Sequence, residues 1–352
     1  MVERLREPVL VTGGAGYIGS HVVRLLRRSG YPVVVYDDLS AGFPWAVLDA
    51  ELIVADLAEH ERLAALFAAR RFGAVLHFAA RVRVEESVSD PAQYYRNNAM
   101  HALGLFELAA RFKVPGVVFS STAAVYGEPE VVPIEETSPI APINPYGASK
   151  MMAERMLQDI AAVSGVRYAI LRYFNVAGAD ADGRIGEATP AASHLIKVAC
   201  EAALGIRPHM HIHGTDYPTP DGTCVRDYIH IDDLARVHLD ALRYLERGGV
   251  STVLNCGYGH GSSVREVIDV VRRVSGVDFP VVEGPRRPGD PATLVASNRK
   301  VRAVLGWEPR HDDLDFIVGT AWRWEQRLQA AGGPERFGAA SGAPQIAEPG
   351  PG

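Results

Sequence analysis

Tyr146 and Lys150 stand four residues apart in the run Tyr-Gly-Ala-Ser-Lys, at the start of a stretch, 146–163, whose pattern predicts a helix. That spacing brings both side chains to one helical face. A tyrosine with an ordinary pKa of about 10 is a poor base at neutral pH. A lysine ammonium beside it and a positive nicotinamide nearby would each favour the phenolate. An isolated Tyr-x-x-x-Lys is by default two surface residues at a helix start. Here it follows the fifth apolar run of the chain, where an open α/β sheet presents its binding crevice. The same run leads into Phe119–Gly127 (FSSTAAVYG), which sets Thr122 at the carboxyl end of the sheet, within reach of a substrate hydroxyl. The plainer reading of that segment is a Ser/Thr-rich turn.

A nicotinamide needs a cradle, and the first apolar run leads straight into one. Gly13, Gly16 and Gly19 stand in G-x-x-G-x-x-G, with Tyr17 and Ile18 before the last glycine and a helical pattern after it. Glycines let the backbone approach a pyrophosphate, and the helix N-terminus adds free N–H groups and a positive dipole end. The next run ends at Asp37, whose carboxylate can accept hydrogen bonds from an adenosine ribose and would repel a 2′-phosphate. NAD is therefore expected over NADP, and Asp38 adds to the repulsion. Asp56 ends the third run. It is placed either to meet the adenine or to cap a helix.

The elements that must position these groups alternate along the first half of the chain. Apolar runs at 8–13, 31–38, 51–57, 74–80, 116–121 and 168–175 are separated by amphipathic stretches such as 20–30 and 61–73. Several runs are apolar on consecutive residues, as strands buried on both faces are. The fold class expected is α/β: a doubly wound parallel sheet of Rossmann type with a smaller C-terminal α/β substrate domain. The division expected is 1–175 for the dinucleotide domain, 176–330 for the substrate domain, the two possibly interleaved, and 331–352 for an unstructured tail rich in Gly, Ala and Pro. Residues 176–230 read as long loops around one helix at 191–204. Helices at 231–246 and 263–275, a strand near 253–257 and a basic loop at 284–290 follow.

The totals exclude several classes. Hydrophobic residues are 47% and charged residues 22% of the 352, and the net charge is −6, which favours neither nucleic acid nor a membrane surface as partner. Three scattered cysteines, Cys200, Cys224 and Cys256, make no disulfide framework and no zinc spacing. No apolar run reaches membrane-spanning length and the N-terminus lacks a signal-peptide core, so a soluble cytoplasmic protein is expected. His209, His211 and His213 alternate and would share one strand face. The chemistry calls for no metal and no cysteine or carboxylate completes a site, so none is expected.

TGGAGYIGS, SSTAAVYG, YGASK and LRYFN together resemble the extended short-chain dehydrogenase/reductase family, and the likeness covers about residues 8–328. GTDYPTPDGTCVRDYIHIDDLA (214–235), LNCGYGHGSSVREV (254–267) and RRPGDPA (286–292) are similar to its nucleotide-sugar 4-epimerases. The resemblance implies reversible C4 epimerisation of UDP-glucose and UDP-galactose through a 4-keto sugar, with NAD bound throughout. The alternative is another UDP-sugar: an N-acetylhexosamine, a pentose or a uronate. The family's dehydratases carry an Asp-Glu pair after the active-site Thr and its decarboxylases a Glu in this segment. Here Ala123 and Ala124 follow Thr122, which leaves no acid for elimination.

By the same resemblance Tyr146 removes the 4-hydroxyl proton, Thr122 bonds the 4-oxygen, and Lys150 holds the nicotinamide ribose. Leu57, Phe78, Ala79, Ala80, Asn98 and Tyr173 complete the cofactor site. Arg226 and Arg287 would take the diphosphate together with Asn175, and Asp290 the uridine ribose. Leu195, His213 and Tyr228 would line the uracil and ribose, and Phe174 also faces substrate. Leu294 falls where family members carry a large Tyr or a small Cys or Ser, beside the sugar 2-substituent. Val82 stands where a lysine often meets the cofactor, His194 where Asn is common, and His213 where Phe is. The family usually dimerises through two helices, here about 93–111 and 146–163, and Leu103, Phe106 and Ala110 give the first an apolar face.

Overall fold

The computed structural model describes residues 7–189, 192–287 and 289–340. Seven parallel strands form its centre: β1 (Val9–Thr12), β2 (Val33–Asp37), β3 (Glu51–Val54), β4 (Ala74–His77), β5 (Gly116–Thr122), β6 (Arg167–Tyr173) and β7 (Thr252–Cys256). Their spatial order is β7-β6-β5-β4-β1-β2-β3. The chain builds outward from β1 to β3, then crosses back to β4, so the strand order reverses between β1 and β4. Their carboxyl ends diverge there into a crevice.

Consecutive apolar residues serve two cores. Val9 and Val11 face the side covered by helices Tyr17–Arg28 and Ile231–Glu246, where Val22, Leu26 and Leu234 pack. Leu10 faces the other side, against helices His60–Ala69, His101–Arg111 and Pro145–Ser164, with Leu63, Leu105 and Leu157. The strands are parallel as expected from such runs.

After β6 the chain adds small sheets above the carboxyl edge. Asn175–Ala177 pairs with Tyr228–His230, Met210–His213 with Val281–Gly284, and Val225–Arg226 lies between Ser262–Ser263 and Thr293–Leu294. The region read as long loops thus carries four short strands, too brief to show a period. The helix expected at 191–204 runs Leu195–Ala203, and residues 190–191 lie outside the described residues. Strand β7 returns to the main sheet beside β6, so the chain after 176 contributes to both parts. The tail differs from expectation. Pro334–Ala340 is a helix, because Phe337 finds a place against Trp45 and Trp324, while 341–352 lie outside the described residues. No helix among the described residues is long and apolar enough to cross a membrane.

Candidate active site

The glycines do separate jobs. Gly13 has φ +73°, and a Cβ there would stand 2.4 Å from the Ala79 N. A Cβ on Gly19 would stand 2.2 Å from the Gly13 O, so the helix could not sit on the loop. At Gly16 the same addition meets nothing closer than 3.4 Å. Gly16 precedes helix Tyr17–Arg28 and no side chain caps it, which leaves the first-turn N–H groups of Tyr17, Ile18 and Gly19 facing the crevice. Across the crevice, the N–H groups of Phe78 and Ala79 both bond the Thr12 carbonyl, at 2.8 and 3.1 Å, which brings Phe78, Ala79 and Ala80 to its wall.

Asp37 ends β2 buried, and its carboxylate accepts from the Ala15 N and the Leu39 N, both at 2.9 Å. Burial pushes its pKa up while those two N–H groups pull it down. It ties the glycine loop to the sheet and keeps lone pairs for a further donor. Asp38 is exposed and accepts from Ser40. Asp56 accepts from the Ala58 N at 2.8 Å and is not the helix cap, a position Glu59 takes. Leu57 turns its side chain into the core. Asn98, in a π-helical turn at Tyr95–Met100, grips the Arg81 backbone from both sides, at 2.8 and 2.9 Å, and reaches Ser149 of the next helix at 3.1 Å.

Helix Pro145–Ser164 starts where Asn144 accepts from the Gly147 N at 2.9 Å, with Pro145 in its first turn. It delivers Tyr146 beside Thr122 at the end of β5, and the Thr122 hydroxyl acts to lower the Tyr146 pKa. Thr122 Oγ1 also accepts from the Ala124 N at 3.1 Å. Lys150 is buried with Nζ 4.5 Å above the Phe119 ring. Burial pulls its pKa down to about 7, against Glu154, which raises it. The Tyr146 hydroxyl departs from the expectation of a lowered pKa. Burial raises it, and the contact pulling it down is Thr122 rather than Lys150. Tyr173 points its hydroxyl at the Ser120 Oγ.

Beneath this couple lies a buried network that the sequence did not disclose. Glu154, one turn past Lys150, bonds Arg172 of β6 through both its oxygens and also accepts from the Ser121 Oγ. Arg172 continues to the Tyr126 hydroxyl at 2.9 Å, and Tyr126 to Asn255 of β7 at 2.7 Å. The one signal was the Glu154 spacing, eight residues past Tyr146 on the same helical face.

On the opposite wall, Asn175, Leu195 and Tyr228 line one cleft with His194, Glu187 and Glu325. His194 bonds Glu187, whose charge raises the imidazole pKa. Lys197 is buried and bonds Glu325 at 2.6 Å and the Glu187 carbonyl at 3.2 Å. Arg226 and Asp290 meet each other in an ion pair. Arg287 stands at the surface 3.3 Å from Glu85. Leu294 pairs with Arg226 in register and is partly buried against the apolar cluster that contains Val125, Tyr126 and Phe174. Val82 is exposed.

The His209, His211 and His213 rings do share one face, and the Nε2 atoms of His209 and His211 bond each other at 2.8 Å. Among the described residues one group has three possible ligand atoms close together: His230, Asp232 and His311. Both His230 ring nitrogens are already engaged, by the Asp232 N and the Thr320 hydroxyl.

Comparison with known proteins decides the family. Residues 9–257 match the model of the NAD dependent epimerase/dehydratase family. The chain belongs to that family. A UDP-glucose 4-epimerase of Azospirillum brasilense is 56% identical over 326 residues, 92% of this chain and 94% of that protein. The crystal structure of UDP-glucose 4-epimerase from Brucella ovis in complex with NAD is 44% identical, with a TM-score of 0.88 over 90% of this chain and 98% of that one. The UDP-Glc/GlcNAc 4-epimerase of Campylobacter jejuni is 46% identical, with a TM-score of 0.81 over 91% and 99%.

NAD is the cofactor of this epimerase/dehydratase family, and the crevice fits it. The close approach at Gly13, the open side of Gly16, the uncapped helix start and the Asp37 carboxylate tied to the loop at Ala15 make the kind of cradle a dinucleotide needs.

Proposed function

We propose that this chain interconverts UDP-glucose and UDP-galactose at C4 of the sugar. The observation that carries the reading is Thr122, at the end of β5 and acting on the Tyr146 hydroxyl, followed by Ala123 and Ala124 in place of acids. When bound, NAD supplies a hydride acceptor that becomes the donor again. Tyr146 Oη takes the 4-hydroxyl proton and later returns it. Thr122 bonds the reacting oxygen and stabilises the phenolate. Lys150 holds the nicotinamide ribose and adds positive charge when protonated. Since burial alone keeps Tyr146 protonated, proton removal requires the positive charge that the loaded site brings.

Arg226, Arg287 and Asn175 hold the diphosphate in this reading, and Asp290 the uridine ribose. Leu195, His213 and Tyr228 line the uracil and ribose, and Phe174 backs the sugar. Asp38, Asp56, Leu57, Asn98 and Tyr173 are assigned to the cofactor by the same reading. Purified protein incubated with UDP-glucose or UDP-galactose and no added cofactor should yield a mixture of both C4 epimers. No turnover on either sugar overturns the reading, and a need for net oxidant overturns the hydride-return step.

Leu294 favours a second reading in which UDP-N-acetylhexosamines are also accepted. Its side chain is smaller than the Tyr found at this place in some relatives, and it is partly buried against the cluster that contains Phe174. The Campylobacter jejuni relative is named for both substrates. The ratio of kcat/KM for UDP-N-acetylglucosamine and UDP-glucose decides it. We also propose a homodimer through two helical stretches, about 93–111 and the catalytic helix Pro145–Ser164. Phe106 cannot serve it, being buried against His77 and Phe119, whereas Met100 and Met152 are exposed. Light scattering tests the mass.

A further inference from the structure

Segment 40–47 lies directly on the glycine loop. The Phe43 N donates to the Ala15 O at 3.1 Å, and a Cβ on Gly42 would stand 2.7 Å from the Ala15 carbonyl carbon. Phe43, Trp45 and Ala46 form one wall of a pocket whose other wall is Ala15, Gly16 and Tyr17. The segment is bracketed by two leucines in the left-handed region, Leu39 at φ 60° and Leu48 at φ 56°. Side-chain-bearing residues adopt that conformation at a cost, so contacts elsewhere must hold the segment in place.

The C-terminal helix Pro334–Ala340 provides those contacts. Trp45 stacks on Phe43 with ring centres 5.4 Å apart and meets Phe337 edge-on at 5.0 Å. Phe337 meets Trp324, itself fully buried, at 5.0 Å. Trp45 Nε1 donates to the Pro334 carbonyl at 3.1 Å. A Cβ on Gly338 would stand 2.4 Å from the Trp45 ring, so the helix seats flush on it. Without Phe337 and Pro334, Trp45 loses one ring neighbour and its hydrogen bond.

We propose that helix Pro334–Ala340 is a strap that presses segment 40–47 onto the dinucleotide loop, and that Phe337 and Trp45 are positioning residues that set how slowly NAD leaves. The inference rests on the reading above, since a hydride-returning enzyme gains from a cofactor that stays through many turnovers. The strap touches no reacting group, so it acts on cofactor exchange and not on chemistry.

The test measures NAD release from loaded, desalted protein by exchange against etheno-NAD. Phe337→Ala, and a chain ending at Gly333, should release NAD about tenfold faster, because altered contacts act mainly on off-rates. Trp45→Phe keeps a ring, loses only the bond to Pro334 and should show a smaller acceleration of the same sign. Arg336→Ala, on the exposed face of the same helix, should match the wild type. Turnover at saturating added NAD should stay within about twofold of wild type in every variant, which separates release from chemistry. Unchanged release in Phe337→Ala and in the shortened chain overturns the strap, as does lost turnover that added NAD does not restore. A wild-type protein that turns over neither sugar even with added NAD would instead overturn the functional reading itself.

Discussion

Glu154 and Arg172 are both buried and bond each other through two oxygens, whereas Arg287 and Glu85 meet at 3.3 Å across an exposed surface. The first pair anchors the floor under Thr122, Tyr146 and Lys150. The second belongs, with the Arg226–Asp290 pair, to the region that the proposed function gives to the UDP moiety. The floor is finished before any ligand arrives, since each of its polar groups has a protein partner. Arg226 and Arg287 are paired with nearby acids, and in the proposed reading a diphosphate takes them from those acids. Catalytic geometry is thus paid for in folding, and substrate affinity is set by exchanging one set of charge partners for another.

Four substitutions probe that contrast. Tyr146→Phe removes the proton acceptor and nothing else from the floor. It should lower kcat by about 10²–10⁴ with KM little changed, read in steady-state kinetics. A loss below about tenfold would move the proton to another group. Glu154→Ala strands a buried guanidinium and should cost about 3–5 kcal/mol in denaturant unfolding, with NAD-loaded protein compared throughout. Arg287→Ala should leave stability within about 0.5 kcal/mol, because its pair is exposed. Arg226→Ala should raise KM about thirtyfold with kcat nearly constant, the loss of one charged hydrogen-bonding contact of about 2 kcal/mol. If Arg226→Ala lowers kcat instead, the region given to UDP is part of the floor and the contrast fails.

What could be read in the sequence follows the same division. Consecutive apolar runs disclosed the strands because burial on both faces leaves few polar positions in them. Gly13 and Gly19 could be read because only glycine fits against the Ala79 and Gly13 backbones. The Tyr146–Lys150 face followed from helical spacing. Ser121, Arg172, Tyr126 and Asn255 could not be singled out, because their bonds span from 18 to 129 residues and nothing in a local pattern marks a polar residue as buried. Lys197 and Glu325 were hidden in the same way, 128 residues apart. The C-terminal helix was hidden by composition. Gly, Ala and Pro read as loop until Phe337 is seen between two tryptophans.

A smaller expected effect on turnover tests the floor most closely. Thr122→Val keeps the shape of the side chain and removes the hydroxyl that acts on Tyr146. That hydroxyl lowers the Tyr146 pKa, so its loss must raise it. Turnover needs the phenolate, and the acid limb of the kcat–pH profile should therefore move to higher pH. A charged hydrogen bond worth about 1.5 kcal/mol corresponds to a shift of about one pH unit. The Ala124 N–H also loses its acceptor, which costs stability but is independent of pH in this range. The two consequences separate cleanly. If Thr122 only shapes the turn, Thr122→Val lowers kcat by the same factor at every pH and the limb stays where it is. A limb that moves upward places the Thr122 hydroxyl on the proton path, as part of the floor that is complete before substrate binds.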